Sequence, residues 1–338
     1  MDLGHERCHP TQHLVLGVSM ATSGSINFSM TRDDIIRGAL KKLGVFDASD
    51  SIPADEVQDA AFALNAVVKE LMAEGEVGLW LREIITLFIQ QGQETYTIGS
   101  GSTDNATRSF NETTLSADAA SGATSITVDS ATGFVAAYYV GIQLDSGAFD
   151  WTTVASVAGT TISLDDALTG VASSGNVVYV YQTKASFFQK PINCFRRDDS
   201  DIDTTVDILA YEDYVTLSQK SNSGAPDLVS WKPNLTSGTL YVWPTGGAEG
   251  GQGSTNKLVL TVDRTIEDFD TTSDNPDFPI EWGNVLVWLL AADLASDYGL
   301  GLQDRMYLRA EAERKKERAL QYGQDTGPVR FGIDTQGR

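Results

Sequence analysis

The sequence predicts an α+β protein: a helical host domain with an N-terminal αα-hairpin, long C-terminal helices and a small mixed β part, into which an all-β barrel or sandwich module is inserted. Apolar stripes at helical spacing lie near the N-terminus, and further helical segments lie near the C-terminus. Between them, over residues 102–182, the pattern changes to short runs of β-formers separated by turn signals. The expected organisation is a flexible arm over 1–29, a discontinuous α-helical domain over 30–101 and 183–322, the β module over 102–182, and a flexible tail over 323–338.

The arm mixes His, Gly, Ser and Thr without a hydrophobic period, and Met20 and Met30 are both plausible internal starts. Its apolar stretch, Leu14 to Val18, is flanked by His rather than Lys or Arg, which does not suit a signal peptide. The first helix should begin at Thr31, a capping side chain, with Asp33 and Asp34 facing the positive helix end. Ile36, Ala39, Leu40 and Leu43 then form one stripe, and Gly44 is the stop. A second helix starts at Pro53 with Asp55 and Glu56 in its first turn. It runs through Val57, Ala60, Ala61, Leu64, Val67, Val68 and Leu71 to Gly75.

From Glu83 the period shortens. Thr86 to Gln90 and Glu94 to Ile98, around Gln91-Gly92-Gln93, read as a hairpin. Five or six strands are expected in the module, with runs of β-formers at Ser125 to Val128, Tyr139 to Leu144, Trp151 to Val157, Thr160 to Leu164 and Val177 to Tyr181. Asp145-Ser146-Gly147, Ala158-Gly159 and Ser174-Gly175-Asn176 supply the turns. Leu240 to Trp243 and Leu258 to Val262 read as strands joined by the loop Gly246 to Ser254. After Asp277-Phe278-Pro279 a helix opens at Ile280, and its run Val285 to Ala292 is apolar on every side, so it should be buried all round. The last helix, Gln303 to Tyr322, is polar, with weak apolar content and Glu311 placed to pair with Lys315.

With 46 acids against 24 Lys and Arg, the net charge is −22, a balance that argues against holding nucleic acid by phosphate neutralisation. No apolar run exceeds eight residues, too short to cross a bilayer, so no membrane partner is expected. His5, His9 and His13 all lie in the arm beside Cys8, where Pro10 interrupts a zinc-binding helical face. The folded body therefore has no histidine for a Ser-His-Asp or Cys-His site, and Cys194 reads as a small buried side chain. Asp199 to Asp203 resembles the opening of a calcium loop, but the required Gly and Glu positions hold Thr204 and Ala210. No Walker or dinucleotide fingerprint occurs. Neither a metal, a cofactor nor a catalytic role is expected.

Several segments, taken in order, resemble the head–tail adaptor proteins of short-tailed phages, both the tail tubular protein A type and the packaged-DNA stabilisation type. They are the paired N-terminal helices, Gln91 to Ile98, Tyr211-Glu212-Asp213-Tyr214, Gly224-Ala225-Pro226, Gly238 to Pro244, and Phe278 to Trp282 leading into Leu290 to Gly299. In the family pattern the Gly-Gln-x-x-Tyr strand runs almost directly into a Pro-centred segment, here Lys190-Pro191-Ile192, whereas in this chain the β module intervenes.

The resemblance implies a non-enzymatic virion protein at the head–tail interface, made in the host cytoplasm. It would form a homo-oligomeric ring, dodecameric in the family, docked on the portal protein. Such a ring extends the DNA channel, encloses DNA without sequence-specific binding, helps retain packaged DNA and offers a platform to the tail nozzle or other tail proteins. An acidic wall suits such a channel. The final helix and tail are the expected partner contact, through Met306, Arg309, Arg314, Lys315, Lys316, Arg318, Tyr322, Val329 and Phe331. The alternatives are another virion component (a tail nozzle, head-completion or decoration protein) and a tailspike-type glycan binder or hydrolase, against which the lack of an internal repeat counts.

Overall fold

The computed structural model describes residues 28–46, 51–74, 79–198, 201–246 and 257–322. Two helices come first, α1 (Arg32–Leu43) and α2 (Ala54–Ala73), then strands β1 (Arg82–Phe88), β2 (Thr95–Gly99) and β3 (Ala106–Thr107). The next stretch holds β4 (Asn111–Thr114), β5 (Ser125–Thr127), β6 (Tyr139–Gln143), β7 (Phe149–Ala158), β8 (Thr161–Leu164) and β9 (Val177–Tyr181). There follow β10 (Phe188–Arg197), β11 (Asp203–Leu209), α3 (Tyr211–Thr216), β12 (Leu228–Pro233), β13 (Ser237–Trp243), β14 (Lys257–Arg264), α4 (Gly283–Leu294) and α5 (Leu302–Tyr322).

The expectation of a helical host domain is overturned. Among the described residues the architecture is mainly β, an eight-stranded and a six-stranded sheet; α1, α2, α4 and α5 form one modest layer in which only α5 reaches 21 residues, and the short α3 lies on the large sheet. The region after residue 183, read as a small mixed part, supplies five of the eight strands of the larger sheet.

That sheet has the order β2-β13-β12-β11-β10-β14-β1-β3. The hairpin expected around Gln91-Gly92-Gln93 does not form: β1 pairs with β14 and β3, while β2 pairs with β13. In a flat sheet six strand spacings, about 29 Å, would separate β1 from β2. Residues 89–94 alone join them, with a turn at Gly92 (φ 72°), so the sheet curls on itself into a near-barrel. Ile85, Leu87, Tyr96, Ile98, Leu240, Leu258 and Leu260 fill its interior.

The six-stranded sheet, order β4-β9-β6-β7-β8-β5, curls further. Its two edges meet where Leu115 bridges Val128, with the Asp129 amide donating to the Thr114 carbonyl at 2.9 Å. The five strands read from sequence all form here, and Gly147, Gly159 and Gly175 take positive φ at the turns between strands. The sixth strand is β4, at a position the runs of β-formers do not mark.

The run Val177–Tyr181 is apolar throughout because both its faces are covered. Val178 and Val180 point into the barrel core, whereas Tyr179 and Tyr181 point outward onto Phe88 of β1. Around Phe88 stand Phe110, Trp151, Tyr179 and Tyr181 with centroids 4.7–6.1 Å away. Lys257 of β14 is buried beside them. It lies 5.3 Å from the Tyr179 ring and donates to Glu112 Oε2 at 2.9 Å.

In the helical layer α1 starts as expected. Thr31 and Asp34 form a reciprocal capping box, and Gly44 closes the helix in the left-handed conformation. α4 is the hub: it packs against α1, α2 and α5, and all of Val285 to Ala292 is buried or half-buried. A crossover from β14 ties this layer to the large sheet. Arg264 holds Asp277 through both guanidinium nitrogens, one of them at 2.7 Å. The Asn65 side chain makes paired hydrogen bonds to the Phe269 backbone (3.0 and 3.1 Å).

Candidate assembly surface

α5 lies on α4 by a narrow stripe. Leu308, Ala312, Lys316 and Ala319 are buried, spaced four, four and three apart, and most other positions face outward. The stripe was hard to read because one of its four members is a lysine. Its aliphatic stem is buried while its ammonium pairs with Glu74, the residue that caps α2, and lies 3.8 Å from Glu313.

The residues expected to contact a partner divide into four groups. Met306 and Arg309 line an open groove between α2, α4 and α5. Lys315 and Arg318 lie on the opposite flank, beside Glu281 and Asn284. Arg314 is tied to Glu311 at 2.5 Å, and Lys316 is buried and paired with Glu74, where it helps to seat α5. Tyr322 ends α5, and Val329 and Phe331 lie outside the described residues.

The groove encloses about 500 Å³. Val67, Leu71, Leu289 and Ala292 give it an apolar floor, and its rim sets Arg305 and Arg309 against Glu70 and Asp293. Burial, together with the nearby Asp297 and Glu70 carboxylates, raises the pKa of Asp293 above the ordinary aspartate value. Leu302 and Met306, one helical turn apart, are both mostly exposed at its mouth. Sequence reasoning missed Leu302 and Arg305; the four-residue spacing of Leu302 and Met306 was the available signal.

On the opposite flank Trp288 of α4 is half-buried between α1 and α5. Lys42 lies 4.1 Å from the centre of its ring and Lys315 lies 5.3 Å from it. Burial lowers the Lys42 pKa and the neighbouring Lys315 charge adds to the effect. Tyr307, largely exposed, meets Trp288 edge-on at 6.4 Å.

A third cluster joins segments far apart in sequence. Tyr214 donates to Glu94 at 2.7 Å, and its ring lies 4.8 Å from Tyr241. The Gly224 amide donates to the Thr245 carbonyl at 2.9 Å, and the Gly92 amide to that of Gly246 at 2.7 Å. Gly238 is required by close approach: a Cβ there would stand 2.1 Å from the Trp231 ring. Thus Gln91 to Ile98, Tyr211 to Tyr214, Gly224 to Pro226 and Gly238 to Pro244 meet at one corner of the large sheet.

The histidines and Cys8 lie outside the described residues. Cys194 is buried in β10, where burial pushes its thiol up to about 12. Asp203 opens β11 and receives Arg197 in two bonds of 2.7 and 2.9 Å. No helix among the described residues is long and apolar enough to cross a membrane.

No protein-family model matches the chain, and no curated protein matches it. Among solved structures, part of the chain is similar to the Gp54 tailspike of Acinetobacter baumannii bacteriophage AP22, solved in complex with A. baumannii capsular saccharide, at 18% identity and a TM-score of 0.21. The likeness covers 23% of this chain and 16% of the tailspike, so the chain spans under a fifth of that protein's length. A likeness this partial carries no argument about fold or function.

Proposed function

We propose that the chain is a structural subunit of a phage virion, a head–tail adaptor that assembles as a ring on the portal, extends the DNA channel, helps retain packaged DNA and offers a platform to tail proteins. One observation supports this most. Four of the segments that carry the resemblance to the adaptor family, up to about 150 residues apart in sequence, pack on one another at a single corner of the large sheet. A chance likeness of short motifs has no reason to co-localise. The remaining segments form the α1–α2 pair, the turn that leads into α4 and the C-terminal end of α4, so the resemblance spans two folded regions while the six-stranded barrel stands apart from it.

In this reading the chain acts by assembly, with neither cofactor nor catalytic residue, and twelve copies are the expected number. The groove beside α5, with exposed Leu302 and Met306 at its mouth, is the surface offered to the portal. Co-sedimentation of the full chain with the portal protein of the same virus tests it. Met306→Glu with Arg309→Glu should abolish co-sedimentation while leaving the circular dichroism spectrum unchanged. Intact co-sedimentation of that variant would remove α5 as the contact. Release of sugar from host polysaccharide by the wild-type chain would overturn the structural role.

A further inference from the structure

The charge of this molecule is distributed unevenly. From Ser109 to Thr183 the sequence has seven carboxylates and no Lys or Arg, so the six-stranded barrel carries only negative charge. Each of five barrel aspartates is held by Ser or Thr: Asp129 by Thr114, Asp145 by Ser173, Asp150 by Thr169, Asp165 by Thr153 and Asp166 by Thr152. Hydroxyl and amide donors satisfy these turns, so the fold needs no cation there and the carboxylates stay exposed as a field.

The helical layer is the opposite. α5 carries six basic and four acidic residues, and α1 carries four basic and two acidic, in a chain of net charge −22. Both helices flank Trp288, where Lys42 and Lys315 share one indole. Among the described residues no carboxylate lies within 4.0 Å of either ammonium. Two like charges gathered on an aromatic face, with no carboxylate among the described residues at ion-pair distance, form a surface ready for an anionic partner.

We propose that this Trp288 face docks against the acidic six-stranded barrel of a neighbouring copy of the chain, a head-to-tail contact. Charge complementarity favours a second copy: the barrel is the anionic surface at hand, whereas the whole chain repels nucleic acid. Two different patches in contact make a heterologous interface, which closes into a ring when the rotation permits. The inference rests on the assembly reading above, yet its test needs no portal and so fails or succeeds separately.

Sedimentation velocity of the full chain at low and high salt is the experiment, with K42E/K315E altering the basic face and D165N/D166N the barrel. Wild type should self-associate, more weakly as salt rises. Each variant alone should associate roughly tenfold or more weakly. An equimolar mixture of the two should form a one-to-one dimer and nothing larger, because one intact face of each kind remains. If K42E/K315E unfolds by circular dichroism, K42Q/K315Q takes its place. The proposal is overturned if wild type stays monomeric at low salt, if both variants associate like wild type, or if the mixture stays monomeric. It is also overturned if K42E/K315E loses binding to a double-stranded DNA oligonucleotide while self-association is unchanged.

Discussion

The six-stranded barrel takes every strand from one stretch of chain, β4 to β9, whereas the eight-stranded sheet draws β1 to β3 from before that stretch and β10 to β14 from after it. In the barrel, neighbours such as β6 and β7 or β7 and β8 follow one another directly. In the large sheet β1 lies beside β14, and Arg82 faces Asp263. Local pairing leaves a trace in the sequence as regular turns; distant pairing leaves almost none. The two sheets also differ in charge, since the large one needs ion pairs between its strands. Asp263, buried in β14, lies 3.8 Å from Arg82 and 3.7 Å from Lys190, one on each neighbouring strand.

If the sheets are coupled through the ring cluster, Phe88→Ala should have the largest effect. It removes the side chain that four rings surround, with an expected loss of about 3–5 kcal/mol. Calorimetry should show the single melting transition split in two, the barrel melting apart from the rest; one unshifted transition would mean that the cluster is a passive contact.

Glycine substitutions sharpen the contrast next. A Cβ at Gly141 would come 2.6 Å from the Trp151 ring, and one at Gly238 would come 2.1 Å from Trp231. Overpacking of this kind costs about 1–3 kcal/mol. Gly238→Ala should be the worse, because Trp231 is stacked on Phe188 at 4.0 Å and donates to the Gln189 carbonyl at 3.0 Å. The Trp151 indole N–H has no partner among the described residues, so its ring can give way. Urea denaturation of the two variants ranks them.

A smaller effect is expected at the crossover to the helices. Burial pushes the Asp277 carboxyl up, but Arg264 and the Glu267 amide outweigh it and hold its pKa below the ordinary value. A depressed carboxylate stabilises the fold above its unfolded pKa, about 3.9, and that contribution is lost as pH falls through the folded value. Asp277→Asn should cost about 1–3 kcal/mol at pH 7. The difference from wild type should shrink below about pH 4. A difference that stays constant from pH 7 to pH 3 would separate the effect from ionisation.

The smallest effect belongs to the barrel turns. The Ser173 hydroxyl and amide, with Asn176, lower the pKa of Asp145 at the exposed barrel end. Asp145→Asn should slightly reduce the melting temperature at pH 7, with the difference from wild type vanishing in acid.

Much of the molecule could be read from its residues, within limits set by distance along the chain. Thr31, Asp34 and Gly44 bound α1 by local hydrogen bonds, and the turn glycines separate the barrel strands. β10 was missed because Pro191 interrupts it. Irregular register between Phe188 and Lys190 and between Pro191 and Asn193 lets the ladder to β14 pass that residue. Phe88 falls in one predicted strand and Tyr179 and Tyr181 in another, and nothing local says that they meet. For the candidate surface, the position of α5 was legible, but its orientation was not, since Lys316 looked like an exposed cation. The fold-class error has the same origin: helical periodicity is visible in a single segment, whereas β1 and β14 become strands of one sheet only when both are placed.

Electron microscopy of the full chain mixed with the portal of the same virus tests the central claim most directly. Class averages should show a ring of this protein stacked coaxially on the portal, with α5 at the contact and a channel continuous through both. Portal rings that stay bare at saturating concentrations of a folded chain would contradict it.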